Sequence, residues 1–474
     1  MTPQGRAPDE LPPRIIQGGM GVSVSGWRLA RAVSTCGQLG VVSGTAIDVV
    51  LSRTLQLGDP GGHFRRALAA FPLREAAERI LRKHFIEGGK PAGSPFRPIP
   101  MVGHQPSRET EELVIAANFS AIHLAKEGHD GWVGLNLLEK IQPPTLAALF
   151  GAMLAGVDVV LMGAGIPRQI PGMLDRFAAG EPAEHRLDVT GGTAPVTMRL
   201  DPADHGITGP LHRPMFLPVV SSHVLALTLA RKASGRVDGF IVEGPVAGGH
   251  NAPPRGTMQL NESGEPVYGE RDKIDPEAFV KLGLPFWLAG GRAHAGSLAD
   301  AMACGARGIQ VGTAFALCRE SGFDPALKSR IIESLRNDSL EIRTSAAASP
   351  TGFPFKVAQV AGTVAEPAVY QARRRVCDMG VLREIYQKSD GSVGYRCASE
   401  PVDDYVAKGG DAADCEGRLC LCNALCASAG VPQVRNGEEE ACLVTLGDDL
   451  AEIRGLLGDR DEYTAEDVIR HLRG

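Results

Sequence analysis

The sequence predicts an α/β fold, a (β/α)8 barrel with insertions and a C-terminal Cys-rich appendage. Two observations predict the barrel. Eight short apolar runs, most ending at Gly or Ser, alternate with helical segments over about 300 residues, the rhythm of parallel βα units. Strands buried on both faces read as near-continuous Val, Ile and Leu, as these do. The third observation concerns the tail: seven of the ten cysteines, from Cys377 to Cys442, follow residue 370.

In chain order the runs are 14–18 (RIIQG), 39–44 (LGVVSG), 132–137 (WVGLNL), 157–163 (VDVVLMG), 215–221 (MFLPVVS), 239–244 (GFIVEG), 285–290 (PFWLAG) and 308–313 (GIQVGT). Amphipathic helices are expected at 27–35, 145–155, 222–233 and 295–304. A flavodoxin-like open sheet would need fewer strands. The barrel therefore occupies 13–365, after an N-terminal extension at 1–12, and the Cys-rich region occupies 366–474. Insertions fall at about 46–130 and 167–214. The first contains helical patterns around 65–84 and 109–127. The second contains HRLDVTGGTAPVTMRLDP, which suits a hairpin over the barrel mouth. Long insertions of this kind serve as lids, substrate walls or contacts in a homo-oligomer.

Composition narrows the function. The 474 residues carry a formal net charge of −6, so no positive field exists to hold nucleic acid or an anionic membrane. No run of 18 apolar residues occurs, and MTPQGRAPDELPP lacks the apolar core of a signal peptide, so the chain reads as cytoplasmic. The 58 glycines follow no period and suit tight turns and close backbone approaches.

In such barrels the chemistry sits just beyond the C-terminal ends of the strands. There the seventh run ends in Gly290 and Gly291, and the eighth in Gln310, Gly312 and Thr313. Backbone N–H groups bared by Gly, a Thr hydroxyl and a helix start form a phosphate cradle, and the last two strands are its usual place. The first run ends in Gly18-Gly19-Met20-Gly21, where exposed backbone suits a flat ring. The G-x-G-x-x-G context is missing, so a mononucleotide fits better than a dinucleotide. His250, behind Gly248 and Gly249 after the sixth run, is placed to take or give a proton with an ordinary pKa of about 6.5.

IIQGGMGVSVSGWRLARAVSTCGQLGVVSG, GLNLL, VVLMGAGIP, VEGPVAGGH, AGGRAHAGSLADAMACGARGIQVGTAF and SPTGFPFK resemble the nitronate monooxygenase family, formerly 2-nitropropane dioxygenases. The resemblance spans about 13–356. It implies an FMN-dependent (β/α)8 oxidoreductase that oxidises alkyl nitronates or a related acidic small molecule with O2. It also implies that His250 is the catalytic residue, that Gly290, Gly291, Gly312 and Thr313 hold the FMN phosphate, and that Gly19, Met20, Gly21 and Asn136 pack on the ring. Gly249 and Gln310 complete the expected cofactor set. The family usually has Glu two residues before the Gly pair, where this chain has Val246, and usually lacks the long first insertion and the Cys-rich tail. The same barrel resembles flavin-dependent enoyl-ACP reductases, in which NAD(P)H replaces O2 as co-substrate. A third reading is a flavin-binding partner in a biosynthetic complex.

The tail carries its own signal. Cysteines at CxC and CxxxC spacing can ligate Zn or an Fe–S cluster, which needs four soft ligands. The set chosen here is Cys377, Cys397, Cys420 and Cys422. Buried thiols and a redox disulfide are the other readings of the same residues.

Overall fold

The computed structural model describes residues 10–474, so 1–9 of the expected N-terminal extension lie outside it. The eight apolar runs become eight strands: β1 (Ile15–Gln17), β2 (Gly40–Ser43), β3 (Val133–Leu138), β4 (Val159–Gly163), β5 (Met215–Val220), β6 (Phe240–Glu243), β7 (Phe286–Ala289) and β8 (Gly308–Val311). Each pairs in parallel with the next, and β8 pairs with β1. Closure comes from a parallel bridge between Ile16 and Leu39, where the Gln17 N–H donates to the Leu39 carbonyl at 3.0 Å. The result is a closed barrel.

Ile16, Leu39, Val41, Val159, Leu161, Leu217, Ile241 and Trp287 fill the interior. The Trp287 indole N–H donates to the Pro13 carbonyl at 2.9 Å, which ties the N-terminal approach to the barrel's floor. A ligand must therefore bind at the opposite, open end.

The expected helices form at Trp27–Thr35, Thr145–Leu154, His223–Lys232 and Ser297–Ala303. The first insertion folds as Ile47–Gln56, His63–Ala70, Arg74–His84 and Arg108–Lys126. The last of these lies so close to Thr145–Leu154 that a Cβ on Gly151 would sit 2.2 Å from the Ile115 carbonyl oxygen. The second insertion forms the expected hairpin, Ala183–Leu187 against Val196–Leu200. Its inward side chains Ala183, His185 and Leu187 are buried, and none of its residues lines the large cavity at the barrel mouth. The apolar alternation of one hairpin face packs it against the barrel's flank, so it does not cover the mouth as expected.

Beyond β8 the chain crosses the mouth. A hairpin, Glu341–Ser345 against Phe355–Gln359, is followed by short helices, among them Leu421–Ser428, and two further small hairpins. The Ala358 N–H donates to the Val444 carbonyl at 2.9 Å, and buried Lys356 donates to Thr344 at 2.8 Å and to Asp448 at 2.6 Å. The final helix, Ala465–Arg473, then returns to the barrel wall and packs between Trp27–Thr35 and Ser297–Ala303. It thus takes the outer-helix position of the eighth unit. The Tyr463 hydroxyl donates to the Ala314 carbonyl at 2.7 Å and fixes this return.

Candidate active site

A cavity of about 200 Å³ opens at the C-terminal ends of the strands. Gly19, Met20, Gly21, Asn136, Gly249, His250, Gly290, Gly291, Gln310, Gly312 and Thr313 all line it, so the structure brings every sequence-predicted flavin and catalytic residue to one place.

The loop after β1 is shaped by two buried side chains. Gln17 donates to Ser25 Oγ at 2.8 Å and accepts the Val41 N–H at 2.9 Å. Ser25 accepts the Met20 N–H at 2.9 Å and donates to the Gly18 carbonyl at 2.8 Å. Gly19 is needed for close approach: a Cβ there would lie 2.3 Å from Asn136 Cβ. Bare backbone and the Asn136 amide therefore form one wall of the cavity.

The β7 and β8 ends supply the opposite, electropositive corner. Gly290 and Gly291 take φ of +84° and +66°, the left-handed conformation that Gly adopts without a Cβ penalty. The N–H groups of Gly291, Arg292, Gly312 and Thr313 donate to no protein acceptor among the described residues. Arg292, which the sequence reading passed over, lines the same corner, and its Nε is buried without a hydrogen-bond partner. Thr313 Oγ1 accepts the Gly447 N–H at 2.8 Å, which leaves its O–H free to donate to a ligand. An unpaired guanidinium beside open N–H groups is the chemistry an anion requires. Asp449 faces the same space, and burial pushes its carboxyl up.

His250 stands on the wall beside β6. Its Nε2 is 2.7 Å from Ser349 Oγ, which is 2.8 Å from Thr351 Oγ1. Ser349 also accepts the Thr351 N–H at 3.2 Å. Nε2, Ser349 Oγ and Thr351 Oγ1 thus form one hydrogen-bonded chain that fixes the orientation of the ring. The Phe355 ring meets the imidazole edge-on, with centroids 4.8 Å apart. Burial without a charged partner lowers the His250 pKa to about 4, where the sequence reading expected an ordinary value.

Glu243, at the end of β6, also faces the cavity, and its carboxyl has no protein partner among the described residues. Burial raises its pKa to about 8, so it is a neutral acid at neutral pH. A carboxyl thus enters three residues before Val246, the position where the family's Glu is missing. Glu243 was legible only as the last residue of a strand.

The C-terminal region forms the roof. Val381, Leu382, Leu421, Cys422, Leu425, Thr445 and Leu446 line the cavity, and the Gly249 N–H donates to Thr445 Oγ1 at 2.8 Å.

The expected metal set is not formed. Cys377, Cys397, Cys420 and Cys422 do line one small void of about 10 Å³. However, among the described residues no group of three or more His, Cys, Asp or Glu side chains is arranged to hold a metal ion. Cys377 and Cys397 hydrogen-bond each other, which lowers the first to about 7 and raises the second. Asn423 donates to Cys420 at 3.7 Å, and burial holds Cys422 well up. All ten cysteines are free.

Fold and mouth together define a (β/α)8 barrel with open N–H groups and an unpartnered Arg292 Nε at the ends of its last two strands, and with His250 lining the same cavity. Residues 213–351 match the nitronate monooxygenase family model, a stretch that includes β5 to β8, His250 and Ser349. A probable nitronate monooxygenase from Bacillus subtilis is 35% identical over 103 residues, which is 22% of this chain and 28% of the relative. One from Staphylococcus haemolyticus is 30% identical over 105 residues, again 22% and 28%. The chain thus spans under a third of the length of the curated relatives it matches. Among solved structures, FabK from Thermotoga maritima is similar with a TM-score of 0.47 at 17% identity, covering 97% of this chain and 91% of that one. Nitroalkane oxidase from Streptomyces ansochromogenes is similar with a TM-score of 0.43 at 17% identity, covering 98% and 95%.

Proposed function

We propose that the protein is an FMN-dependent oxidoreductase of nitronate monooxygenase type that oxidises a small nitronate with O2. The single observation that carries this reading is the unpaired Arg292 Nε among open N–H groups at the mouth of a barrel whose residues 213–351 match that family. A phosphate monoester on a flat ring fits these residues. Gly291, Arg292, Gly312 and Thr313 would hold the phosphate, and the wall of Gly18, Gly19, Met20 and Asn136 would support the ring. When bound, FMN supplies the one-electron chemistry between substrate and O2.

The chain's own residues supply position and proton control. His250 stays neutral through the physiological range, with Nδ1 free to accept a proton from, or a hydrogen bond beside, the substrate. Ser349 and Thr351 hold the orientation of its ring through Nε2. Glu243, protonated, donates a hydrogen bond into the same space, and the apolar roof restricts water. O2 uptake by FMN-reconstituted protein given ethyl nitronate is the test. No uptake with any nitronate, together with NAD(P)H-driven reduction of an unsaturated thioester, would replace this reading with a reductase.

Two results are expected from the site. Arg292→Leu removes a charge-assisted bond worth about 1.5–3 kcal/mol, so FMN should bind roughly 10- to 100-fold more weakly. Unchanged FMN affinity by fluorescence titration would remove Arg292 from the cradle. The pH profile of kcat/KM should fall as pH drops through about 4, where His250 protonates, and again as pH rises through about 8, where Glu243 ionises. Glu243→Gln keeps a donor that cannot ionise, so it should abolish the alkaline limb alone. An alkaline limb retained in that variant assigns it elsewhere.

A further inference from the structure

A second chamber, about 50 Å³, adjoins the main cavity and shares Thr45, Ala46, Leu137, Leu138 and Val381 with it. The first insertion and the C-terminal region both wall it. Ile47, Ile99 and Val102 come from the first insertion, Val114 from the helix Arg108–Lys126, and Met379 and Val381 from the C-terminal region. These walls are apolar, but one corner is not. Asn118, 1% exposed, donates through Nδ2 to the Val114 carbonyl at 2.9 Å, and its Oδ1 has no partner. Thr45 Oγ1, lining both chambers, is likewise buried without a partner. The Asp48 carboxyl lines the same chamber, pushed up by burial. Asn118 Oδ1 and Thr45 Oγ1 are thus buried without the hydrogen bonds that a ligand donor would supply.

Arg383 and Tyr395 also line the chamber, and both are already engaged. Arg383 donates to the Gly380 and Val102 carbonyls at 3.0 and 3.1 Å and lies 4.5 Å from the Tyr395 ring centroid. The Tyr395 hydroxyl accepts the His104 N–H at 2.6 Å. The chamber is a side arm of the active site.

We propose that this arm seats the distal part of the substrate, an unbranched aliphatic chain bearing a hydrogen-bond donor that reaches Asn118 Oδ1 and Thr45 Oγ1. The placement of the reacting end at His250 rests on the function proposed above. The arm itself does not. Apolar walls favour each methylene buried against them, so affinity should rise with chain length until the arm is filled.

Two measurements on the FMN-loaded protein test this. In the first, the nitronate of 6-nitrohexan-1-ol should be used with a higher kcat/KM than that of 1-nitrohexane, and both above that of nitroethane. Asn118→Leu should lower the ratio of the hydroxylated to the plain hexyl substrate about tenfold, the value of one buried hydrogen bond. In the second, which needs no turnover, hexan-1-ol binding is followed by saturation-transfer NMR. Val102→Trp and, separately, Met379→Trp should abolish that signal while FMN is retained. Hexan-1-ol binding that survives both Trp variants, or a flat chain-length series in an enzyme that turns over nitronates, overturns the proposal. Absent nitronate turnover with hexan-1-ol binding still blocked by the Trp variants rejects the function and keeps the arm.

Discussion

Gly312→Val is expected to give a folded barrel that cannot retain FMN. Gly312 has φ of −105°, which any residue adopts, so the substitution strains no backbone. A Cβ there would lie 3.5 Å from Met20 Sδ, an ordinary contact, so Gly312→Ala should fold and keep part of its cofactor. The two γ-carbons of Val would extend further into the cavity, because Gly312 lines it between Met20 and the open N–H of Thr313. They would occupy the space the phosphate needs and cover the donors that would hold it. The measurement is flavin absorbance and FMN released on heating, with circular dichroism confirming the fold. A Val variant that purifies with a full complement of FMN would place the phosphate elsewhere.

The second large effect is at His250. General acid–base groups are typically worth ~10² to 10⁴ in rate. His250→Ala should therefore keep FMN and lose about that much turnover of a neutral nitroalkane, whose proton has to be taken, whereas a preformed nitronate should suffer less. The low pKa sharpens this expectation. An imidazole held near 4 is a weak base but is unprotonated across the working range, and an anion arriving beside it would raise its pKa toward the ordinary value. Ser349→Ala tests the geometry separately. It removes the partner 2.7 Å from Nε2 without touching the cavity face, so it should lower kcat and move the acid limb while FMN affinity stays constant. Equal, small losses of His250→Ala on both substrates would make His250 a wall residue only.

The local sequence determined most of the frame and part of the site. All eight strands appear where apolar runs end at turn-forming residues, because a doubly buried strand must be apolar along its whole length and must stop where the chain turns. The left-handed turn at Gly290 and Gly291 and the close approach at Gly19 were legible for a similar reason, since each is a local demand that only Gly meets.

What only the tertiary structure decided lies across long separations. Ser349 supports His250 from 99 residues away, and Thr445 holds Gly249 from 196 away. No local pattern marks either pair. The C-terminal region reads as an appendage that closes on the barrel, but only the fold decides that its middle roofs the cavity and its last helix completes the outer ring. Contacts at such range depend on chain path, which spacing does not encode. Arg292 and Glu243 escaped notice because charged residues at strand ends are usually solvated. Only burial without a partner, which is a property of the folded surroundings, distinguishes them. The four cysteines show the converse. Their spacing suggested a metal, and the fold brings all four to one small void, yet among the described residues no three ligands are arranged to hold an ion.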